Sequence, residues 1–315
     1  MASPIAVFAT SDGLDQHLTP DWHPERPGRL DAALKGIPAA GLSDAVTFHE
    51  PRLASVEELS RVHDASYVAG IERFCGAGGG DLDPDTYAAP GSWTTARLAA
   101  GAVLDSVEAL RNGTCEIAFA AGRPPGHHAV PDRAMGFCLF NNVSVAAAKL
   151  ADEGQRVAIV DWDVHHGNGT QDIFYDDPRV LYVSTHEAPL YPGTGRADET
   201  GTGAAIGTKL NIPLPPQADD ALFEQIWFRA ESFLARAEPD FVLLQCGADS
   251  IAGDPIADLE LTCATHAKVT RTLCQVADTH CMGRLLALGG GGYDLDNIAR
   301  TWNAVVEALV QSTYA

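Results

Sequence analysis

Five short apolar runs, each about as long as one buried β-strand, alternate with segments of helical periodicity along this chain. The runs occupy residues 116–120, 157–160, 180–184, 241–245 and 285–288. Apolar residues at helical spacing predict helices at 142–150, 219–237, 261–278 and 295–309. Strands that alternate with helices form parallel β-α-β units with right-handed crossovers. We therefore predict an α/β fold with a central, mostly parallel β-sheet flanked by helices.

Polar residues follow each run at the point where the predicted strand ends. The segments are Arg-Pro-Pro-Gly-His-His at 123–128, Asp-Trp-Asp-Val-His-His at 161–166, Thr-His at 185–186, Cys-Gly-Ala-Asp at 246–249, and four glycines followed by tyrosine at 289–293. In open α/β sheets, ligands bind beyond the carboxyl ends of the strands. We therefore expect these five segments, which are distant in sequence, to converge on one site.

The charge of the chain restricts what such a site can bind. With 21 Lys and Arg against 42 Asp and Glu, the formal net charge is −21, which repels nucleic acids and anionic membranes and attracts cationic partners. No run approaches the roughly 20 apolar residues of a membrane span, and the N-terminal segment lacks the basic and apolar regions of a signal peptide. These features predict a soluble, cytoplasmic protein that binds neither nucleic acid nor membrane.

The length of 315 residues allows two domains at roughly 150 residues each, but no linker, internal repeat or charge block divides the chain. We therefore predict a single domain over residues 1–315. The seven cysteines include no C-x-x-C pair, so the sequence indicates neither a disulfide framework nor a zinc ribbon.

One pair of these polar residues has the spacing of metal ligands. Asp163 and His165 are two residues apart, so in an extended segment their side chains point the same way. A mononuclear catalytic Zn²⁺ takes three protein ligands and keeps one position open, and Asp249 is the best candidate for the third. An isolated Asp-x-His pair is weak evidence, because a lone Asp or His is more often a helix cap or a hydrogen-bonded core residue. Two Asp and two His at one buried strand end, however, require a metal ion or dense hydrogen bonding.

Two further groups suit water attack on a carbonyl. His127 and His128 follow a rigid Pro-Pro-Gly turn, and imidazoles titrate near neutral pH, although such a pair in isolation is more typical of an exposed loop. The glycines at 289–292 allow the backbone to approach the site and aim Tyr293 inward, where its phenol is able to stabilise an oxyanion. Signatures of serine hydrolases, zincins, P-loops and Rossmann dehydrogenases are absent from the sequence.

With these residues assembled, the chain resembles the histone deacetylase superfamily, which includes acetylpolyamine amidohydrolases and acetoin-utilization proteins. The resemblance is closer to class II deacetylases and their bacterial relatives than to class I. The motifs that carry it run in order along nearly the whole chain, at 23–27, 62–63, 123–128, 136–138, 141–142, 161–169, 191–195, 247–255 and 289–293. It implies a single arginase/deacetylase-type α/β domain with its active site at the carboxyl ends of the strands.

The resemblance also implies a role for each site residue. One Zn²⁺ per chain would be held by Asp163, His165 and Asp249. The catalytic residues would be His128 as general base and acid, His127 as its electrostatic neighbour, and Tyr293 as the oxyanion donor. Asp161 would be the partner of His127, and Asn168 stands beside His128 where class I relatives carry an Asp.

Further positions match the substrate channel and a cation site. The family's narrow acyl-lysine channel would be lined by Phe137, Tyr191, Gly136 and Gly291. The monovalent-cation site, normally occupied by K⁺, would be formed by Asp161, Asp163, His165 and Ser184. The segment 81–85 lies near the rim loop that holds the substrate backbone. In polyamine-specific relatives an acidic gatekeeper follows Gly-Asp-Pro, where this chain carries Ile256.

The leading hypothesis is a zinc-dependent amidohydrolase that removes acetyl or related acyl groups from lysine side chains, polyamines or other primary amines. Two alternatives are a non-catalytic acyl-lysine-binding scaffold and an arginase-like ureohydrolase with two Mn²⁺ ions. The intact Tyr293 and histidine pair argue against the scaffold. The acyl length, Zn²⁺ or Fe²⁺ as the native metal, and a homo-oligomeric state stay open at this point.

Overall fold

Eight parallel strands form one sheet at the centre of the molecule. The computed structural model describes residues 5–9, 16–39, 42 and 44–313. The strands in chain order are β1 (Ile5–Phe8), β2 (Val46–His49), β3 (Gly80–Asp81), β4 (Tyr87–Ala88), β5 (Ile117–Ala120), β6 (Val157–Asp161), β7 (Val180–Glu187), β8 (Lys209–Leu214), β9 (Phe241–Cys246) and β10 (Leu285–Gly289). β3 and β4 pair with each other in a separate antiparallel ribbon.

The order of strands in the sheet is β2-β1-β5-β10-β9-β6-β7-β8. The four central strands β5, β10, β9 and β6 are therefore neighbours, although they come from distant parts of the chain. Their carboxyl ends lie level, because Asp161 pairs with Gln245 and Cys246 pairs with Gly289. The segments that leave these strands consequently emerge side by side at one edge of the sheet.

Helices cover both faces of the sheet. They are α1 (Arg29–Ala39), α2 (Val56–Leu59), α3 (Ala65–Gly76), α4 (Ser92–Arg111), α5 (Asn142–Asp152), α6 (Asn168–Ile173), α7 (Asp220–Ala237), α8 (Cys263–His280) and α9 (Leu295–Thr313), with a short 3₁₀ helix at Gly203–Ala205. Apolar residues of α1, α7, α8 and α9 share one hydrophobic cluster with the sheet. Those of α3, α4 and α5 share a second cluster on the opposite face.

Each central strand contributes to both clusters, which explains why the strands are apolar along their whole length. In β5, Ile117 and Phe119 pack into the first cluster, whereas Ala118 and Ala120 pack into the second. Successive side chains of a strand point to opposite faces, so a strand covered on both sides needs apolar residues throughout. The result is a three-layer α/β arrangement.

The structure confirms the predicted α/β class, and the five predicted strands and four predicted helices are all present. Seven of these nine elements end one to four residues later than predicted, and three of them begin later than predicted. Glu116 precedes β5, and Leu261 bridges to Ile251 before α8 begins. Asp219 precedes α7 as its N-cap, where its side chain accepts a hydrogen bond from the Leu222 N–H.

In the described part of the chain, no helix is long and apolar enough to cross a membrane.

Candidate active site

Asp163, His165 and Asp249 form a buried cluster beyond the ends of β6 and β9. Their candidate ligand atoms all lie within 4.8 Å of one another. The Nδ1 atom of His165 is 3.3 Å from Asp163 Oδ1 and 3.2 Å from Asp249 Oδ2. Both carboxylates are completely buried. In the described residues this is the only group of three or more candidate metal ligands.

Backbone N–H groups hold the two carboxylates in place. Asp163 accepts hydrogen bonds from the N–H groups of His165 and Gly291, at 3.1 and 2.7 Å. Asp249 accepts one from the N–H of Val164 at 3.1 Å. These bonds fix the carboxylates with further oxygen lone pairs available. Two carboxylates and one imidazole at such close range fit a divalent cation, because buried anions need a neutralising partner.

The pKa values of these residues also indicate that the cluster needs a neutralising cation. Burial and the neighbouring Asp163 carboxylate raise the pKa of Asp249 to about 7. Burial also opposes ionisation of Asp163, but the positive charges of His127 and His165 overcome it and lower the pKa of that carboxyl. The cluster therefore carries mutual repulsion between its two carboxylates, which a bound cation would relieve.

His127 and His128 lie beside this cluster with their rings 4.0 Å apart, and their partners differ. His127 Nδ1 is 2.9 Å from Asp161 Oδ2, whereas His128 Nδ1 is 2.7 Å from Asn168 Oδ1. Burial disfavours protonation of His127, but the carboxylates of Asp163 and Asp161 outweigh it and raise the pKa to about 9. Burial and the charge of His127 lower the pKa of His128 well below its usual value.

The glycine-rich segment after β10 carries Tyr293 against the same cluster. Arg29 at the start of α1 donates hydrogen bonds to the carbonyls of Gly290 and Gly292, at 2.8 and 2.7 Å. Its guanidinium also lies 5.0 Å from the centre of the Tyr293 ring. The Tyr293 N–H donates to Asp254 Oδ2 at 2.8 Å. The tyrosine is therefore fixed through its backbone and its ring face.

A cavity of about 200 Å³ leads from the surface to these groups. It is lined by Asp85, His128, Gly136, Phe137, His165, Leu190, Tyr191, Ile256 and Tyr293. The ring of Phe137 meets Tyr293 edge-on with 5.5 Å between centres, and Tyr191 meets His128 at 5.2 Å. The cavity is thus a short channel with aromatic walls and imidazoles at its inner end.

Two glycines at the site occupy positions where any Cβ atom would clash with a neighbouring site residue. A Cβ on Gly136, where φ is +55°, would collide with the ring of His128. A Cβ on Gly291 would collide with the carboxylates of Asp249 and Asp163. Gly136 is among the residues that line the cavity, and Gly291 lies against the two carboxylates and donates its N–H to Asp163.

Of the positions expected to bind K⁺, Ser184 pairs in register with Asp161, and its hydroxyl is 2.9 Å from Nδ1 of His186.

The sequence reasoning missed a buried ion network behind the tyrosine. Glu25 is completely buried and pairs with Arg123 at 2.8 Å and with Arg29 at 3.1 Å. Burial works against its ionisation, yet Arg123, His17 and Arg29 hold the pKa of Glu25 well below its usual value. The motif at 23–27 signalled the importance of this segment but not its contacts, which join residues far apart in sequence.

Comparison with known proteins matches the chain to one family along nearly its whole length. The family model of the histone deacetylase domain matches residues 23–309. A probable deacetylase of Archaeoglobus fulgidus is 41% identical over 285 residues, which cover 89% of this chain and 79% of that protein. A histone deacetylase-like amidohydrolase of Pseudomonas aeruginosa is 36% identical over 312 residues, covering 98% of this chain and 82% of that protein. The crystal structure of the HDA15 HD domain superposes with a TM-score of 0.93 at 35% identity, covering 99% of this chain and 89% of that one.

Proposed function

This chain belongs to the histone deacetylase family of deacetylases and amidohydrolases, and on that premise we propose that it is a zinc-dependent enzyme that removes acetyl or related acyl groups from primary amines. The observation that carries the proposal is the placement of the Asp163–His165–Asp249 cluster at the inner end of an aromatic-walled cavity. Substrates of this kind include acyl-lysine side chains and acylpolyamines.

The three residues of the cluster would hold one Zn²⁺. Asp/His donor sets with an open position are typical of catalytic zinc, and His165 lines the cavity from which substrate would arrive. The chemistry that such an ion supplies is Lewis-acid polarisation of a carbonyl and a lowered pKa for water. A bound ion would neutralise the buried carboxylates of Asp163 and Asp249, so the cluster and the ion would stabilise each other.

His128 is the proposed general base and acid. Its Nδ1–H donates to Asn168 Oδ1, which leaves the lone pair of Nε2 available for a proton. The neighbouring His127, held positive by Asp161 and Asp163, favours the neutral form of His128 near pH 7. His128 would take a proton from the attacking water and return it to the departing amine.

Tyr293 is the proposed oxyanion donor. Its phenol belongs to the cavity wall, and burial together with nearby carboxylates raises the pKa of that phenol, which keeps it protonated. A fixed O–H donor is worth most when it is already oriented before charge develops. The hydrogen bonds that Arg29 and Asp254 make around the tyrosine supply that orientation.

The walls of the cavity suit an alkyl chain with a polar group at each end. Phe137 and Tyr191 would pack against the methylenes of an acylated lysine or polyamine. Asp85 at the mouth is the proposed acceptor for an N–H group of the substrate, which selects it from the acidic segment 81–85. Ile256 at the same mouth adds apolar surface.

We also propose that K⁺ binds near Asp161 and Ser184, which lie level on the neighbouring strands β6 and β7.

The test is acyl release by metal-replete protein with its metal quantified. The panel should contain acetyl-lysine peptides, acetylated polyamines and longer acyl-lysines. Turnover of any of them with one zinc per chain would support the proposal. Tight binding without hydrolysis would instead indicate an acyl-lysine-binding scaffold, and two manganese ions per chain with no deacylation would indicate a ureohydrolase.

A further inference from the structure

The loop 188–197 separates two cavities. Leu190 and Tyr191 face the substrate cavity from one side of it. Behind the loop lies a second cavity of about 400 Å³, whose lining includes His166, Thr194, Gly195 and Pro213. Within this loop Leu190 packs against the first hydrophobic cluster, whereas Thr194 and Gly195 border the second cavity. The far end of the loop therefore depends on directional hydrogen bonds for its position.

Two buried histidines supply those bonds at the far end of the loop. His166 Nδ1 lies 2.8 Å from the Thr194 hydroxyl, and His186 Nε2 lies 2.9 Å from the carbonyl oxygen of Gly195. Both imidazoles are 1% exposed. Their rings are 4.8 Å apart, so they form one platform under the loop. His166 comes from the segment after β6 and His186 from β7 itself.

The surrounding partners determine which atoms donate. The Glu199 carboxylate can only accept, so Gln171 presents its Nε2–H₂ to Glu199 at 2.8 Å and its Oε1 to Nε2 of His166 at 3.3 Å. His166 therefore carries its proton on Nε2 and accepts from the Thr194 hydroxyl through Nδ1. The N–H of Gly195 donates to the same Glu199 oxygen at 3.0 Å. Because a carbonyl oxygen can only accept, His186 donates its Nε2–H to Gly195, and the directions of the hydrogen bonds at this end of the loop are thereby defined.

Gly195 brings the loop backbone directly onto the histidine platform. A Cβ at this position would lie 2.6 Å from ring atoms of both His166 and His186. The backbone φ is +84°, a conformation that favours glycine. Gly193, two residues earlier, has a similar φ of +81° but would meet nothing within 4 Å. Alanine would therefore meet the same backbone strain at both positions, but only at position 195 would it also collide with the histidines.

We propose that His166 and His186 are positioning residues that, through Thr194 and Gly195, set the place of Tyr191 in the wall of the substrate cavity. The proposal depends on the proposed deacylase function for its kinetic consequence. Tyr191 meets the ring of His128 at 5.2 Å and that of His165 at 6.3 Å. If the loop were released from His166 and His186, Tyr191 would move and the cavity would widen, while the imidazoles of His128 and His165 would stay in place.

The experiment compares two matched pairs of variants, Gly195→Ala with Gly193→Ala and Thr194→Val with Thr194→Ser. One readout is hydrogen exchange of the segment 188–197, which requires no activity. The other is the separation of KM from kcat on an acetyl-lysine peptide. Loss of one buried hydrogen bond typically corresponds to about a fivefold to tenfold change. We expect Gly195→Ala and Thr194→Val to speed exchange and raise KM by that factor, with kcat and zinc content kept, and the two controls to resemble the wild type.

The two readouts separate failure of this proposal from failure of the proposed function. Faster exchange in Gly195→Ala and Thr194→Val alone would support the positioning role even in a protein that hydrolyses none of the panel. Equal exchange in Gly195→Ala and Gly193→Ala would overturn it. A Thr194→Val enzyme that loses kcat and keeps its KM would overturn it as well, because a displaced Tyr191 must act on substrate binding.

Discussion

His128 Nδ1 lies 2.7 Å from the amide oxygen of Asn168, whereas its neighbour His127 makes the equivalent contact with a carboxylate of Asp161. Two adjacent imidazoles therefore have opposite electrostatic environments. The carboxylate favours a charged His127, and the neutral amide leaves His128 to burial and to repulsion from His127. Groups whose environments push their pKa values apart are suited to different roles in acid–base chemistry.

The Asn168→Asp variant should shift the pH dependence of the reaction. A carboxylate beside Nδ1 stabilises protonated His128 and typically raises a pKa by about 1–3 units. Because the base must be unprotonated, the acidic limb of kcat/KM should move to higher pH by a similar amount. The pH–rate profile of kcat/KM measures this shift. An acidic limb that stays in place would mean that His128 is not the titrating base.

The Tyr293→Phe variant should keep its metal and lose most of its rate. Removal of one oxyanion donor typically lowers kcat by about 100-fold or more, while the remaining ring still packs against Phe137. Tyr67→Phe is the control, since its hydroxyl donates to the Leu139 carbonyl outside the cavity at 2.6 Å. Steady-state kinetics with metal analysis distinguish the two. Full activity in Tyr293→Phe would remove the phenol from the mechanism.

The sequence predicted the centre of the sheet better than its margins. The central strands are short, but they are almost entirely apolar and are followed by chemically distinctive motifs, which makes both strands and site segments recognisable. β1 and β2 contain four residues each, as β5 does, but none of the five polar segments follows them; β8 contains Pro213, which disfavours a strand except at an edge such as this one. A short strand without a distinctive motif, or one with a proline, gives little signal, so tertiary pairing decides it.

The site shows the same division between local and long-range information. The spacing of Asp163 and His165 predicted that they lie together, but the predicted reason, an extended segment, was wrong: β6 ends at Asp161, and a bend brings the His165 N–H onto Asp163 Oδ1. The contact of Arg29 with the carbonyl of Gly292 joins residues 263 positions apart, and no local pattern encodes it. Similarly, the anchoring of Thr194 by His166 depends on how the loop folds back over β7. Spacing identifies candidate ligands, and only the fold identifies what holds them.

The Glu25→Gln variant should unfold far more easily than the wild type. It would leave the buried guanidinium groups of Arg29 and Arg123 without their shared carboxylate, and breaking a buried ion pair typically costs about 3–5 kcal/mol. Glu224→Gln is the matched control, because its pair with Lys268 is about half exposed and such pairs contribute roughly 1 kcal/mol or less. Urea unfolding measures both. If both variants lost the same unfolding free energy, burial of the Glu25 ion pairs would not be what makes them important.

His63 should make the protein less stable in acid. Its Nε2 accepts from the N–H of Asn141 and its Nδ1 donates to the Val130 carbonyl, and burial lowers its pKa to about 4. The unfolded chain, with a pKa near 6.5, binds the proton first, so the contribution is complete above about pH 6.5 and declines as pH falls toward 4. From pH 7 to pH 5 the loss should be about 2 kcal/mol.

The measurement for His63 is the difference in unfolding free energy between the wild type and His63→Gln at each pH. Taking this difference cancels the titration of the other buried histidines. The difference should shrink as the pH falls, since only the wild type carries the titrating imidazole at this position. A difference that is constant between pH 7 and pH 5 would show that the His63 pKa is unperturbed by folding.

The Asp249→Asn variant should invert the stability order of the metal-free and zinc-loaded proteins. Burial and the Asp163 carboxylate raise the pKa of Asp249 to about 7, so at pH 8 the metal-free wild type holds two repelling buried carboxylates. The amide variant removes that repulsion yet is still able to accept the hydrogen bond from the Val164 N–H. We expect it to unfold at higher urea than the wild type in the presence of a chelator.

Zinc should reverse this order because it binds the folded wild type and loses a ligand in Asp249→Asn. A ligand at 1,000 times its dissociation constant stabilises the folded state by about 4 kcal/mol. Urea unfolding at pH 8, with chelator and with added Zn²⁺, measures both effects without requiring catalysis. A wild type that gains no stability from zinc, or a variant that gains as much as the wild type, would exclude the Asp163–His165–Asp249 cluster as the metal site.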